Sequence, residues 1–180
     1  FSELTDASLD ESFNALQPAV QDDVNVHRFV FAHRTRGLAN LLGKEYAHTL
    51  LRQCVRFCVD NEQQHKKHNH PDPEIRTLLP KLLDQYHLDG QPHGKRDPGD
   101  TAVELLANTI YNGPPDRSAD AVAAALAERI DPEVVGEAIS LPSNALVLRQ
   151  GADRWRTHGD AAGVHSSDAT NAWRNMARVT

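Results

Sequence analysis

The sequence predicts an all-α protein of about six to eight helices packed as helical hairpins around one core, with two helical halves. Three observations carry that expectation. Lys44–His65 keeps one helical period over its whole length, at about 100° per residue. Helix start and stop signals recur along the rest of the chain. No segment sustains the alternating pattern of a strand, and Phe29-Val30-Phe31 is too short and too helical in its continuation to be one.

The elements follow in order. Thr5 or Ser8 is an N-cap candidate for a first helix carrying Leu9, Phe13 and Leu16, with Pro18 closing it. Val24–Gly43 reads as a second helix with Val26, Phe29, Val30, Ala32 or His33, Gly37, Leu38, Leu41 and Leu42 on its apolar side and Gly43 as C-cap. The third, Lys44–His65, places Ala47, Leu50, Leu51, Cys54, Val55, Phe57, Cys58 and Val59 on one arc. Glu45, Thr49, Arg52, Gln53, Arg56 and Asp60 lie opposite. A link as short as Gly43 should pair these two helices as the centre of the core. Lys66–Glu74 is a polar loop with two prolines. A helix follows from Pro73-Glu74 to Leu88, kinked or divided at Pro80.

Asp89–Asp100, dense in Gly, Pro and charge, is the expected flexible connection between an N-terminal half (1–88) and a C-terminal half (101–180) of one compact domain. In the second half Asp100 or Thr101 caps a helix that ends at Gly113-Pro114-Pro115. Ser118 caps an Ala-rich helix, and Asp131-Pro132 opens another. Pro142 interrupts that helix before Ser143–Gly151 resumes it. After the loop 151–163, Ser166 or Ser167 caps the last helix, with Ala169, Ala172, Trp173 and Met176 inward.

Composition sets limits on function. The 180 residues are 39% hydrophobic and 24% charged with a net charge of −6, which argues against a nucleic-acid or acidic-membrane surface. No apolar run approaches the roughly 20 residues of a membrane span, and no signal-peptide pattern opens the chain. Two cysteines spaced Cys54-x3-Cys58 are not a disulfide framework, so a reducing cytoplasm is the expected setting. Because residue 1 is Phe, part of a larger parent chain fits as well as a whole protein, and a homo-oligomer is equally compatible.

Ten histidines are the compositional oddity. His27 and His165 each follow a valine at a helix start, one in each half, and Asp22-Asp23 lie just upstream of His27. A histidine poised by a carboxylate is a candidate general base, so His27 and His165 are the catalytic candidates. Cys54, Cys58 and His65 share one helix face near Glu62. With a ligand from another helix they would form a zinc or iron site, and these three are the metal-ligand candidates. The competing expectation for the thiols is the core, since both sit mid-arc. Glu45-x-x-His48 and Glu62-x-x-His65 repeat a spacing used in di-iron bundles. At 17 residues apart, about 100° and about 25 Å, they cannot share a metal pair. His65, His68 and His70 with Asp72 form the densest histidine cluster, expected as a solvated loop. Arg149, Arg154, Trp155, Arg156, Arg174 and Arg178 form a basic-aromatic patch suited to a phosphate or carboxylate, or to a solvated rim.

Walker, G-x-G-x-x-G, G-x-S-x-G and H-E-x-x-H signals are all absent. The segment DPEVVGEAISL, residues 131–141, is similar to helices of the small all-helical peroxidase and decarboxylase proteins of the alkylhydroperoxidase type. That family's thiol pair and histidine are missing here, so the resemblance implies no activity. The functional expectation is a helical enzyme or small-molecule-binding domain with a histidine-lined interior pocket, metal-dependent and oxidoreductive in its sharpest form. The alternative is a non-catalytic interaction or scaffold domain.

Overall fold

The computed structural model describes residues 7–151 and 161–179. Within them the chain forms eight α-helices and no strand: α1 (Leu9–Gln21), α2 (Val26–Leu42), α3 (Lys44–Lys67), α4 (Ile75–Tyr86), α5 (Asp100–Asn112), α6 (Pro115–Ala127), α7 (Pro132–Arg149) and α8 (Ala162–Ala177). They group into two compact units, Phe1–Arg76 with Asn175–Thr180, and Thr77–Arg174.

The first unit is a three-helix assembly. Ser8 opens α1 with a capping box. Its Oγ accepts from the Glu11 N–H at 3.2 Å while the Glu11 carboxylate accepts from the Ser8 N–H at 2.8 Å. The sequence expectation that Pro18 closes this helix is corrected, because α1 runs on to Gln21. Proline removes one backbone bond, but the added turn buries Val20 completely, and that burial holds the helix together. Gly43, at φ 113°, ends α2 by donating its N–H to Ala39 O at 3.0 Å and turns the chain into α3.

The inward face of α2 is also corrected. Leu38, Leu41 and Leu42 are exposed, whereas Arg28, Phe29, Ala32, Thr35 and Ala39 are buried. Arg28, Ala32, Thr35 and Ala39 follow a four-three-four spacing, so the stripe is regular once polar residues are admitted to it. Thr35 belongs there because the Cys54 thiol donates to its Oγ1 at 3.2 Å. The apolar arc of α3 narrows to Ala47, Leu51, Cys54 and Cys58, leaving Val59 exposed.

Helix α4 begins at Ile75 and continues unbroken through Pro80, and in the second unit α7 likewise runs through Pro142. Helix α6 starts at Pro115, with proline in the first turn where its missing N–H costs nothing. Ser118 therefore lies inside the helix and donates to Pro114 O rather than capping it. Ser166 and Ser167 likewise lie inside α8, which begins at Ala162. Asp131 caps α7 as expected, accepting from the Glu133 N–H at 2.8 Å.

The 89–100 segment, expected to be flexible, is tied to the α6–α7 corner. Arg96 donates its N–H to Arg129 O at 3.0 Å and accepts from the Asp131 N–H at 2.9 Å, a single parallel bridge. Gly94 is required beside it, because a Cβ there would lie 2.1 Å from Arg129 O. The core of this unit centres on Ala125, Ile130 and Val135, packed by Leu106, Val122, Leu126, Val134 and Ile139.

Candidate functional site

Among the described residues two places serve as the candidate sites, one in each unit. In the first unit the α1–α2 corner meets the C-terminal turns of α3 and the start of α4. Asp23 and Arg28 are both buried there. Arg28 reaches the cluster because the Asn25 side chain caps α2 and fixes its first turn. Its Nε donates to Asn61 Oδ1 at 2.8 Å and its Nη1 to Ala19 O at 3.3 Å. Nη2 lies 3.3 Å from Asp23 Oδ2 and 3.5 Å from Glu62 Oε2. The Asp23–Arg28 contact is an ion pair without hydrogen-bond alignment, since neither Asp23 Oδ2 nor Arg28 Nη2 has a hydrogen-bond partner.

Arg76 completes the cluster. Its Nη2 donates to Glu62 Oε2 at 2.6 Å, its Nε to Asp22 O at 3.1 Å and its Nη1 to Asp72 Oδ1 at 2.8 Å. The hydrogen bond from Arg76 is the main reason the Glu62 carboxyl titrates below its ordinary range. His65 stands one turn from Glu62, its Nε2 3.7 Å from Asp23 Oδ2. The carboxylate that the sequence placed upstream of His27 thus serves His65.

His27 is exposed in the first turn of α2, and its N–H is capped by Asn25 Oδ1 at 3.0 Å. His165 is half-buried in the first turn of α8, its N–H bonded to Ala161 O at 3.0 Å. The two histidines belong to different units, so neither unit contains both.

The three metal-ligand candidates do not assemble. Cys54 and Cys58 are free, buried thiols. Burial pushes Cys54 up to about 11 against the opposing hydrogen bond to Thr35, and burial raises Cys58 as well, against the pull of Arg28. Both thiols therefore hold their protons more tightly than an ordinary cysteine. His65 turns to Asp23. Among the described residues no three His, Cys, Asp or Glu side chains converge to hold an ion.

The histidine cluster after α3 is more ordered than its composition implied. Asn69, at φ 51°, reverses the chain so that the His70 N–H bonds to His65 O at 3.0 Å. The His70 ring then lies 5.4 Å from that of His65 and 6.0 Å from that of His68. Arg154, Trp155 and Arg156 of the basic patch lie outside the described residues. Arg149 donates to the Tyr111 hydroxyl and lies 4.7 Å over its ring. Glu45 and His48 are exposed.

The second place is a cleft of about 320 Å3 among α5, α6 and α7. Its wall is the core of the second unit itself: Leu106, Ala125, Ile130, Val134 and Val135 all line it. Alanines at 121, 124 and 138 leave the space open because they are too short to fill it. Thr109 and Glu128 are its polar lining residues. The Thr109 hydroxyl donates to Leu105 O at 2.9 Å and Glu128 accepts from Arg96 at 2.6 Å. The cleft therefore offers the lone pairs of one hydroxyl and one already paired carboxylate. In the sequence the only pointer to this cleft is the Ala-rich stretch of α6. No histidine lines this cleft.

Comparison with protein-family models, with curated proteins and with solved structures finds no match for this chain. Among the described residues no helix is long and apolar enough to cross a membrane.

Proposed function

We propose that this chain is a ligand-binding helical protein whose second unit takes a small, largely apolar molecule bearing a hydroxyl. The observation that supports this reading is the α5–α7 cleft, whose wall is formed by the core residues Leu106, Ile130, Val134 and Val135. A guest there would complete the core by removing apolar surface from water, at about 25 cal/mol per Å2. The volume of about 320 Å3 lies at the small end of ligand pockets. With the Thr109 proton bound to Leu105 O, the free lone pair favours an alcohol over a carboxylate.

Titration with 1-octanol, monitored by 1H–15N spectra, tests the reading. Saturable shifts of α5–α7 amides are expected, with octanoate at least about tenfold weaker. Ala124→Phe, which fills the cleft, should abolish the shifts while helix content by circular dichroism stays unchanged. No saturable shift in the wild type, or equal binding by the filled variant, refutes it.

One observation favours a second reading, a contact surface in the first unit. Leu38, Leu41 and Leu42 at the end of α2 and Tyr46 at the start of α3 stand exposed together, Leu41 at 80%. If they mediate self-association, light scattering will give a dimer mass that Leu41→Asp reduces to that of one chain. A concentration-independent monomer excludes self-association through this surface.

A further inference from the structure

The turn that ends α3 gathers three imidazoles in a fixed backbone. Asn69, at φ 51°, folds the chain back so that the His70 N–H bonds to His65 O at 3.0 Å. That bond brings the His70 ring to 5.4 Å from the ring of His65 and 6.0 Å from that of His68. An ion held about 2.0–2.1 Å from an imidazole nitrogen lies about 3.2 Å from the ring centre. Two imidazoles sharing it at the tetrahedral angle then have centres about 5.2 Å apart. The His65–His70 spacing of 5.4 Å meets that span.

The environment of His65 is a second, independent observation. Its Nε2 lies 3.7 Å from Asp23 Oδ2, on a side chain only 3% exposed, and that oxygen has no hydrogen-bond partner. A metal-bound histidine typically turns its other ring N–H to such a carboxylate, which fixes the tautomer and makes the ligating nitrogen more basic. With Asp23 on the Nε2 side, Nδ1 is the nitrogen His65 has to offer. Among the described residues the rings of His68 and His70 have no hydrogen-bond or ion-pair partner to give up. The last carbonyls of α3 add partial negative charge at the same turn, which favours a cation. Of the two lysines there, Lys66 is offset by Glu62 at 3.9 Å and Lys67 is exposed. Asp72 is held by Arg76 at 2.8 Å and is not counted as a ligand.

We infer that His65 and His70 bind one divalent transition-metal ion of the zinc type, with Asp23 as the positioning carboxylate behind His65. Water fills the remaining positions, and His68 reaches the ion only by rotating on its exposed stem. Imidazole ligands select zinc or copper over magnesium and calcium, which take oxygen ligands. The bound ion ties the 65–70 turn to the α1–α2 corner that supplies Asp23. The inference is independent of the apolar cleft.

The test is calorimetric titration of the whole chain with zinc chloride, with the histidine ring signals followed in 1H–15N spectra. One ion per chain is expected, with saturable shifts at His65 and His70 and no competition from magnesium chloride in about a hundredfold excess. His70→Ala alters an exposed side chain and should weaken zinc binding about tenfold or more with the circular dichroism spectrum unchanged. His93→Ala, at an exposed histidine outside the turn, should leave binding as it is. Asp23→Asn should weaken binding and shift the His65 ring nitrogens of the zinc-free protein. His70→Ala decides the proposal whether or not that buried variant folds. No saturable binding, wild-type affinity in His70→Ala, or equal losses in His70→Ala and His93→Ala overturns it. A folded Asp23→Asn variant with unshifted His65 nitrogens and wild-type affinity overturns the role of Asp23.

Discussion

Arg28→Met should destabilise the first unit more than any surface substitution in it. The change removes a guanidinium with only 2% of its side chain exposed and keeps the stem roughly filled by apolar atoms. Asp23, 3% exposed, loses the cation at 3.3 Å. Asn61 Oδ1 and Ala19 O lose donors at 2.8 and 3.3 Å. Breaking one side of a buried pair costs about 3–5 kcal/mol, and each neutral hydrogen bond about 1 kcal/mol. The losses share one site and do not add fully, so about 3–5 kcal/mol is expected in all. Because both groups are buried, salt should change this figure little. Urea unfolding with the denaturant slope fitted freely measures it, and Asp23→Leu in the same background tests the mechanism. With the stranded charge gone, the double variant should recover most of the loss. A cost under about 1 kcal/mol, or no recovery in the double variant, refutes the idea that a buried charge is being held by its partner.

The Glu62 carboxyl is lowered chiefly by Arg76, so its stabilisation is present above the ordinary carboxylate range and is lost as pH falls through the lowered folded value. Acid titration of stability should therefore be shallower in Glu62→Gln than in the wild type, and parallel curves would exclude the ion pair as the cause. With Cys54 raised to about 11 and Cys58 raised too, neither thiol should react with a disulfide reagent at pH 8 until urea unfolds the chain. Fast reaction of a native thiol contradicts the assigned burial. Gly94→Ala places a Cβ 2.1 Å from Arg129 O and should cost the second unit about 1–3 kcal/mol. Unchanged thermal unfolding would show that the 89–96 segment does not pack on Arg129.

Much of the helical framework was legible because its signals are local. Ser8 and Glu11 form their capping box within three residues, Gly43 supplies a positive φ at one position, and Asp131-Pro132 opens α7 from adjacent side chains. The prolines were misread because their cost is local and their compensation is not. Pro18, Pro80 and Pro142 each sacrifice a backbone bond, yet the turns beyond them carry Val20, Leu82 and Ser143 into buried positions. The serines near the starts of α6 and α8 differ for the opposite reason. Ser118 and Ser166 can cap a helix or bond within one, and here Ser118 bonds back to the preceding turn while Ser166 bonds to Ser143 on α7.

By itself, then, the sequence determined the class: periodic apolar positions and capping residues are enough to make helices, because the helix bonds groups four residues apart. It also placed Glu62 and His65 on one helix face. Only the tertiary structure decided that the face of α2 turned inward carries Arg28 and Thr35 and leaves Leu38, Leu41 and Leu42 outside. It likewise gave Asp23 to His65 rather than His27, left Cys54 and Cys58 as buried free thiols, and opened clefts beside α7. Each of those outcomes depends on groups brought together from distant parts of the chain, where packing and desolvation, not local propensity, set the free energy.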